Sequence, residues 1–236
     1  MCTVTFIPKN NLDFILTSNR DEDPRRASGA PDFYSRHGVT GLYPKDLRSG
    51  GTWIGVSERS RLVCVLNGAF EKHERKAEYR KSRGLIALDL LFAEHLDATL
   101  KDYDLHDIEP FTAILVDWNI LLRCVELVWD GNERYITDLP MESKIWSSSP
   151  LYTPKMKSER QEWFDDFKAN SKLDAKSVLE FHKTAGAETE DYGVIMDRGF
   201  VKTTSITQLE KKGSDVFMHF ESLQQDVITE QRLQLS

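Results

Sequence analysis

A cysteine stands at position 2, directly after the initiator methionine. Methionine aminopeptidases remove Met1 when the next side chain is small, and the chain then begins with a thiol and a free α-amine on one residue. The reference pKa of the amine is about 8 and that of the thiol about 8.5. Near neutral pH the amine is partly neutral and can accept the thiol proton, so nucleophile and base come together without a separate histidine. Taken alone, a Cys at position 2 is more often just a small residue. A second polar cluster changes its weight. Thr17-Ser18-Asn19-Arg20-Asp21-Glu22 ends an apolar strand, and a hairpin returns it beside residue 2. Arg20 offers a fixed positive charge that lowers a thiol pKa. Asp21 offers a carboxylate that can accept a hydrogen bond from an α-ammonium and orient it. An Arg-Asp pair that only stabilises a loop fits the same residues.

The elements that must position these groups are legible from periodicity. Residues 2–7 alternate, with Cys2, Val4 and Phe6 on one face, which predicts a strand. Lys9-Asn10-Asn11 is turn chemistry, and Phe14 to Thr17 is the returning strand. Asp21 to Lys45, rich in Pro, Gly, Arg and Asp, reads as a long irregular excursion. Further strands are expected at 53–57, 62–66, 111–116, 120–128, 135–136 and 143–147. Leu85, Leu88, Phe92, Leu96 and Leu100 recur at helical steps. A second helical block runs from Pro154 to about Lys183, with Ser158 and Gln161 resembling a capping box and Asp174 a second N-cap. Strands at 194–196, 202–209 and 216–220 finish the chain. Strands, helices, strands, helices, strands is not a βαβ alternation, so a doubly wound parallel sheet is disfavoured. Two packed sheets with helices outside would bury all these faces, in one domain over residues 1–236.

Bulk properties narrow the chemistry. The 236 residues suit one large domain and a substantial core. A net charge of -7 repels a phosphate backbone on average. The basic cluster from Glu71 to Arg83 is interleaved with Glu74 and Glu78, so it reads as a solvated mixed-charge segment rather than a nucleic-acid site. No apolar run approaches the roughly 20 residues of a membrane span, and the opening residues lack the pattern of a signal peptide. Cys2, Cys64 and Cys124 are too widely spaced for a zinc site or a disulfide framework. A reducing, cytoplasmic setting is expected. Cys64, Cys124 and the five tryptophans read as packing residues and His37 as a surface residue.

Met1-Cys2, Ser18-Asn19-Arg20-Asp21-Glu22, Gly50-Gly51-Thr52-Trp53-Ile54-Gly55, Leu66-Asn67 and Ser82-Arg83-Gly84 together resemble the NRDE family, that of Transport and Golgi organization protein 2. The family is similar to N-terminal-nucleophile (Ntn) hydrolases of the penicillin V acylase and bile salt hydrolase type. The resemblance implies an α+β fold, a four-layer αββα sandwich of two mainly antiparallel sheets with helices outside. It implies Cys2 as nucleophile and Arg20 as the active-site arginine. Asp21 is the nearer match to the amine-binding carboxylate, with Asp23 as the alternative. Asn67 falls where such sites often place an oxyanion donor, though Asn-Gly is also a turn pair. Two positions depart from the family pattern. Ser148 stands where an Asn is expected, and Lys202 stands in the place of an Arg. The hydroxyl has a shorter reach than an amide, and the lysine loses the bidentate fork.

Two functions follow as expectations. One is hydrolysis of a linear carbon–nitrogen bond in a small acylated substrate, with no cofactor or metal required. The other is non-catalytic binding or trafficking of haem or an acyl lipid on the same scaffold. The oligomeric state is left open.

Overall fold

Period-two alternation makes the first hairpin. The computed structural model describes residues 2–235, Cys2 in its main chain only. Strands β1 (Cys2–Pro8) and β2 (Phe14–Glu22) are joined by a turn in which Asn10 Oδ1 accepts the amides of Leu12 and Asp13. This is the local side-chain bond for which Asn is favoured in turns. Then come β3 (Ser28–Arg36), β4 (Val39–Asp46), β5 (Ile54–Ser57), β6 (Arg61–Asn67), α1 (Arg83–Phe92), α2 (Leu96–Asp102), β7 (Phe111–Asp117), β8 (Arg123–Trp129), β9 (Arg134–Leu139) and β10 (Lys144–Ser147). The chain ends with α3 (Pro154–Asn170), α4 (Ala175–Thr184), β11 (Lys202–Lys212), β12 (Asp215–Ser222) and β13 (Val227–Gln234).

These elements form two compact units. The first holds the chain up to Arg26 together with Glu142–Arg232. Its sheet has six strands in the order β10-β1-β2-β11-β12-β13. Ile7, Ile15 and Ile145 on one face pack with Phe164, Val178 and Phe181 of α3 and α4. Thr153 caps α3 by accepting the Met156 amide, with Pro154 at the first helical position, and Asp174 caps α4 by accepting the Ser177 amide. The second unit, mainly Ala27–Met141, is a seven-stranded antiparallel meander from β3 to β9. Val63, Val65, Ala113, Leu115, Val125 and Leu127 on one face bury Ile86, Leu90, Leu91, Leu96 and Leu100 of α1 and α2. Arg61, itself buried, pairs with Asp117 at 3.1 Å and donates to the carbonyls of Leu90 and Ala93, which closes the C-terminal end of α1.

Several expectations need correction. The excursion from Asp21 to Lys45 is ordered: β2 runs on to Glu22, and β3 and β4 form a hairpin. His37 and Gly38 both have positive φ, the turn that suits a tight hairpin, so His37 marks a turn tip. Strand β3 is an exposed edge, which is where Pro31 is tolerated, and its weak alternation hid it. The apolar run 85–100 is two helices, and α3 starts at Pro154 as expected but is capped by Thr153 rather than by a Ser158 capping box. Ile120 and Leu121 lie in the exposed turn before β8. Residues 194–196 are buried coil, and β13 lies beyond the last expected strand.

The Gly50-Gly51-Thr52-Trp53 and Ser82-Arg83-Gly84 motifs meet in one joint of the second unit. The Thr52 amide donates to the Gly84 carbonyl at 3.1 Å. A Cβ on Gly51 would lie 2.3 Å from the Gly84 carbonyl carbon, so two backbones touch where α1 begins. Ser82 caps that helix by accepting the Leu85 amide. Gly51→Ala is expected to lower stability by about 1–3 kcal/mol, because backbone must move to admit the methyl group. A urea unfolding midpoint equal to that of the wild type would show that the close approach is not required.

Candidate functional site

The first unit brings most of the expected site residues to one end of its sheet. Cys2 is the register partner of Arg20, and Thr3 is the partner of Ser147 on the other side. Ser148 directly follows Ser147, the last residue of β10, and its carbonyl accepts the amides of Leu151 and Tyr152 in the turn after the strand. The main chain of Cys2 thus lies beside Arg20, with Ser148 one residue beyond the partner of Thr3. Its side chain lies outside the described residues, so its part in the site is taken up below as a proposal.

The pleat divides the polar run of β2 between two faces. Ser18, Arg20 and Glu22 share one face, and Thr17, Asn19 and Asp21 share the other. Arg20 is 3% exposed. Its Nη1 donates to Thr204 Oγ1 at 3.1 Å and to the Arg26 carbonyl at 3.3 Å, while Thr204 Oγ1 donates to the Arg20 carbonyl at 3.0 Å. That geometry depends on a bulge. Thr203 pairs with Asp21 and Ser205 with Arg20, so Thr204 is the extra residue in β11. Glu22 Oε2 lies 4.0 Å from Arg20 Nη2 and 3.3 Å from Arg26 Nη1. Burial alone would raise the Glu22 carboxyl, but the positive charge around it, Arg26 and Arg20 included, holds it below the ordinary value. Lys202, half-buried, is the register partner of Glu22 and opens β11 on the same face. Ser148 is 2% exposed, and its Oγ finds no partner among the described residues. The same is true of Ser18, Ser205 and Thr207, which lie on the face that carries Arg20.

Asp21 faces the helices instead. Its Oδ2 accepts from the Tyr152 hydroxyl at 2.7 Å and its Oδ1 from Thr203 Oγ1 at 2.8 Å. Full burial pushes its carboxyl above the ordinary value, against the opposing charge of Arg160. Burial and the neighbouring Asp21 charge push the Tyr152 phenol well upward, so it stays a donor. Arg160 lies against the Tyr152 ring with its guanidinium carbon 3.6 Å from the centroid. It donates to Thr3 Oγ1, to the Tyr192 carbonyl at 2.9 Å and to the Gly193 carbonyl at 2.6 Å. His182 bridges Thr5 Oγ1 at 2.7 Å and Asn19 Oδ1 at 2.6 Å. Asn19 in turn donates to the carbonyls of His182 and Val194. Asp23, the alternative carboxylate, lies just past β2 and pairs with Arg25 at 2.6 Å.

Asn67 belongs to the second unit, as the last residue of β6 and register partner of Phe111. Gly68, at positive φ, turns the chain after it. The basic segment that follows is tied to acidic residues of its own unit, with Lys76 on Asp107, Arg80 on Asp104 and Arg83 on Glu109. Among the described residues no group of three or more His, Cys, Asp or Glu is placed to hold a metal ion, and no helix is long and apolar enough to cross a membrane. The sequence reading missed Glu22 as a site carboxylate and missed Thr204, Tyr152, Arg160 and His182 altogether. Glu22 was recoverable from the pleat, since it stands two residues from Arg20. The others are brought in from distant segments by tertiary packing.

Solved structures of similar fold define the class. The chain superposes on a conjugated bile acid hydrolase from Clostridium perfringens with a TM-score of 0.58 at 10% identity, over 97% of this chain and 92% of that one. A penicillin V acylase from Agrobacterium tumefaciens gives 0.60 at 12% identity over 98% and 85%. A Caenorhabditis elegans ortholog of N-acylethanolamine-hydrolyzing acid amidase gives 0.58 at 12% identity over 88% and 92%. The fold is therefore that of the Ntn hydrolases, the αββα class expected from the sequence. The Transport and Golgi organisation 2 family model matches residues 1–226, and the chain belongs to that family. A Bos taurus Transport and Golgi organization protein 2 homolog is 33% identical over 88 residues, 34% of this chain and 32% of that protein. The Homo sapiens homolog is 35% identical over 75 residues, 28% of this chain and 27% of its own length. The matched stretch spans about a third of the length of these relatives.

Burial holds the His182 imidazole neutral, with its pKa lowered to about 3, and the Arg160 charge adds to the effect. The folded value lies below the unfolded one near 6.5, so the unfolded state binds the extra proton between these limits. This contribution to stability is complete above pH 6.5 and is lost as pH falls toward 3. At most about 1.4 kcal/mol is lost per pH unit. Between pH 6.5 and 5 the wild type should therefore lose roughly 1–2 kcal/mol more than His182→Gln, measured by urea unfolding at each pH. Parallel stability curves for the two proteins would contradict a buried neutral imidazole.

Proposed function

We propose that the chain is an amide hydrolase of the N-terminal-nucleophile type, acting on a linear carbon–nitrogen bond of a small acylated substrate. The observation that carries this reading is the β1–β2 register, which pairs Cys2 with the buried, tightly held Arg20. After removal of Met1, the α-amine of Cys2 takes the thiol proton, and the sulfur attacks the carbonyl carbon. The carbon–nitrogen bond then breaks, and the leaving amine takes the proton from the α-ammonium. Water attacks the acyl thioester, which releases a carboxylic acid and restores the thiol.

Arg20 supplies a positive potential that favours thiolate over thiol. Lys202 adds charge on the same face. Ser148 is the proposed donor to the developing oxyanion, a role in which one donor is worth about 3 kcal/mol. The uncommitted Ser148 hydroxyl supports its part in this. Glu22 joins Asp21 and Asp23 as a candidate to orient the α-ammonium, because it is the carboxylate on Arg20's side of the strand. With both its oxygens held by hydroxyls, Asp21 would contribute by fixing β2 against β11. The names of the three structural neighbours, a hydrolase, an acylase and an amidase ortholog, support amide substrates as a class.

Intact-mass measurement on the natively expressed protein should show loss of Met1, which frees the amine. That protein should release amine from members of a panel of N-acyl amino acids and penicillin V, and Cys2→Ala should reduce the release to background. Lys202→Arg should raise turnover if that position works on a bound carboxylate or oxyanion. Saturable haem binding by wild type and by Cys2→Ala, with no turnover of the panel, would replace this reading with that of a carrier.

A further inference from the structure

The six-stranded sheet ends in β13, whose outer edge has no neighbouring strand among the described residues. Helix α4 packs on β2 and β11 and α3 on β10, and Lys183 at the end of α4 pairs with Glu221 of β12 at 2.7 Å. Open edges carry unpaired backbone donors and acceptors, and proteins normally guard them with proline, lysine, short length or a bulge. The other edges show such guards. Strand β3 carries Pro31 and a register shift, and β10 has only four residues. At β9, Arg134 is committed to the α2 carbonyls of Leu100 and Lys101 and to that of Tyr103. Strand β13 spans eight residues, Val-Ile-Thr-Glu-Gln-Arg-Leu-Gln, with neither proline nor lysine. Val227 and Ile228 are 40% and 62% exposed.

The charges on β13 are arranged to match themselves. Glu230, Gln231 and Arg232 are consecutive, so Glu230 and Arg232 stand on one face with Gln231 between them. In an antiparallel pair of two identical strands centred on Gln231, each Glu230 lies directly opposite Arg232 of the other copy. Ile228 lies opposite Gln234, and Thr229 opposite Leu233. Opposite charges at directly facing positions are the favourable cross-strand arrangement, and a two-fold axis produces the pair twice. Within the chain Glu230 pairs with His219 at 3.2 Å and Arg232 with Asp215 at 2.8 Å, and the Arg232 guanidinium lies 5.8 Å from the centre of the Phe217 ring. Exposed pairs of this kind contribute little and can be redirected.

We propose that β13 is a dimerisation edge whose partner is a second copy of this chain, joined by antiparallel β13–β13 pairing across a two-fold axis at Gln231. The result is a continuous sheet through both copies. The test is sedimentation of the full chain across a concentration series, with Glu230→Arg, Arg232→Glu and the double exchange. Wild type should dimerise. Each single reversal places like charges opposite each other twice and should weaken association by about tenfold or more. The double exchange restores opposite charges and should return to within about threefold of wild type. Equal urea midpoints for all four proteins, taken at a concentration low enough for each to be monomeric, separate this from a folding defect, and the recovery in the double variant does so independently. A wild type that stays monomeric at high micromolar concentration overturns the proposal. So does a dimer indifferent to the single reversals, which places its interface elsewhere.

Discussion

Burial of a polar strand is the constraint on which the first unit depends. Residues 17–21 of β2 are Thr, Ser, Asn, Arg and Asp, and each is almost fully buried. Uncompensated, each such group costs on the order of 1–3 kcal/mol and more where it is charged. The fold can exist only if other segments deliver hydrogen-bonding partners to both faces. On the helical face they do so: α4 supplies His182 to Asn19, the segment after β10 supplies Tyr152 to Asp21, and β11 supplies Thr203 to the same carboxylate. Arg160 ties α3 to Thr3 of β1 and to the carbonyls before Val194. The contacts made to β1 and β2 each span more than a hundred residues of sequence, so the polar strand acts as a long-range specifier of the unit.

On the other face the accounting is uneven. Arg20 is held by the bulge residue Thr204, while the hydroxyls of Ser18, Ser205 and Thr207 lack partners among the described residues. Buried hydrogen-bonding capacity left unused is uncommon in folded proteins and tends to mark strain or function. Within β2 and β11 the hydroxyls left so among the described residues lie on the face that carries Arg20. The bulge links the two halves of the arrangement, because one added residue in β11 lets Thr203 serve Asp21 on one face while Thr204 serves Arg20.

Legibility in the sequence followed the physics of each feature. Alternation gave the β1–β2 hairpin and so the approach of Cys2 to Arg20, since register in a short hairpin is local. Asp174 was readable as a cap because capping is a one-turn interaction. The β3–β4 hairpin was not, because an exposed edge strand needs no apolar alternation and its Pro and Gly mimic a loop. The same blindness hid β13, whose residues are largely polar. Arg20 and Asp21 stood out as a pair, yet adjacent residues on a strand face opposite ways, and their chemistry is separate. Tyr152, Arg160 and His182 carried no local signal, because their role is set by what α3 and α4 pack against. The two glycine motifs entered only through the family resemblance, and their joint explains them by backbone contact.

An N-terminal cysteine is reactive to the extent that its environment favours the thiolate, and the account rests on Arg20 supplying that environment. The most direct measurement is the iodoacetamide alkylation rate of each cysteine, resolved by peptide mapping, as a function of pH in wild type and Arg20→Ala. Cys64 and Cys124 are buried on interior strands and serve as internal references. The account predicts that Cys2 is alkylated far faster than either at pH 7, and that Arg20→Ala slows Cys2 and shifts its titration to higher pH without changing the other two. Equal labelling of the three cysteines, or a Cys2 titration unmoved by loss of Arg20, would contradict it.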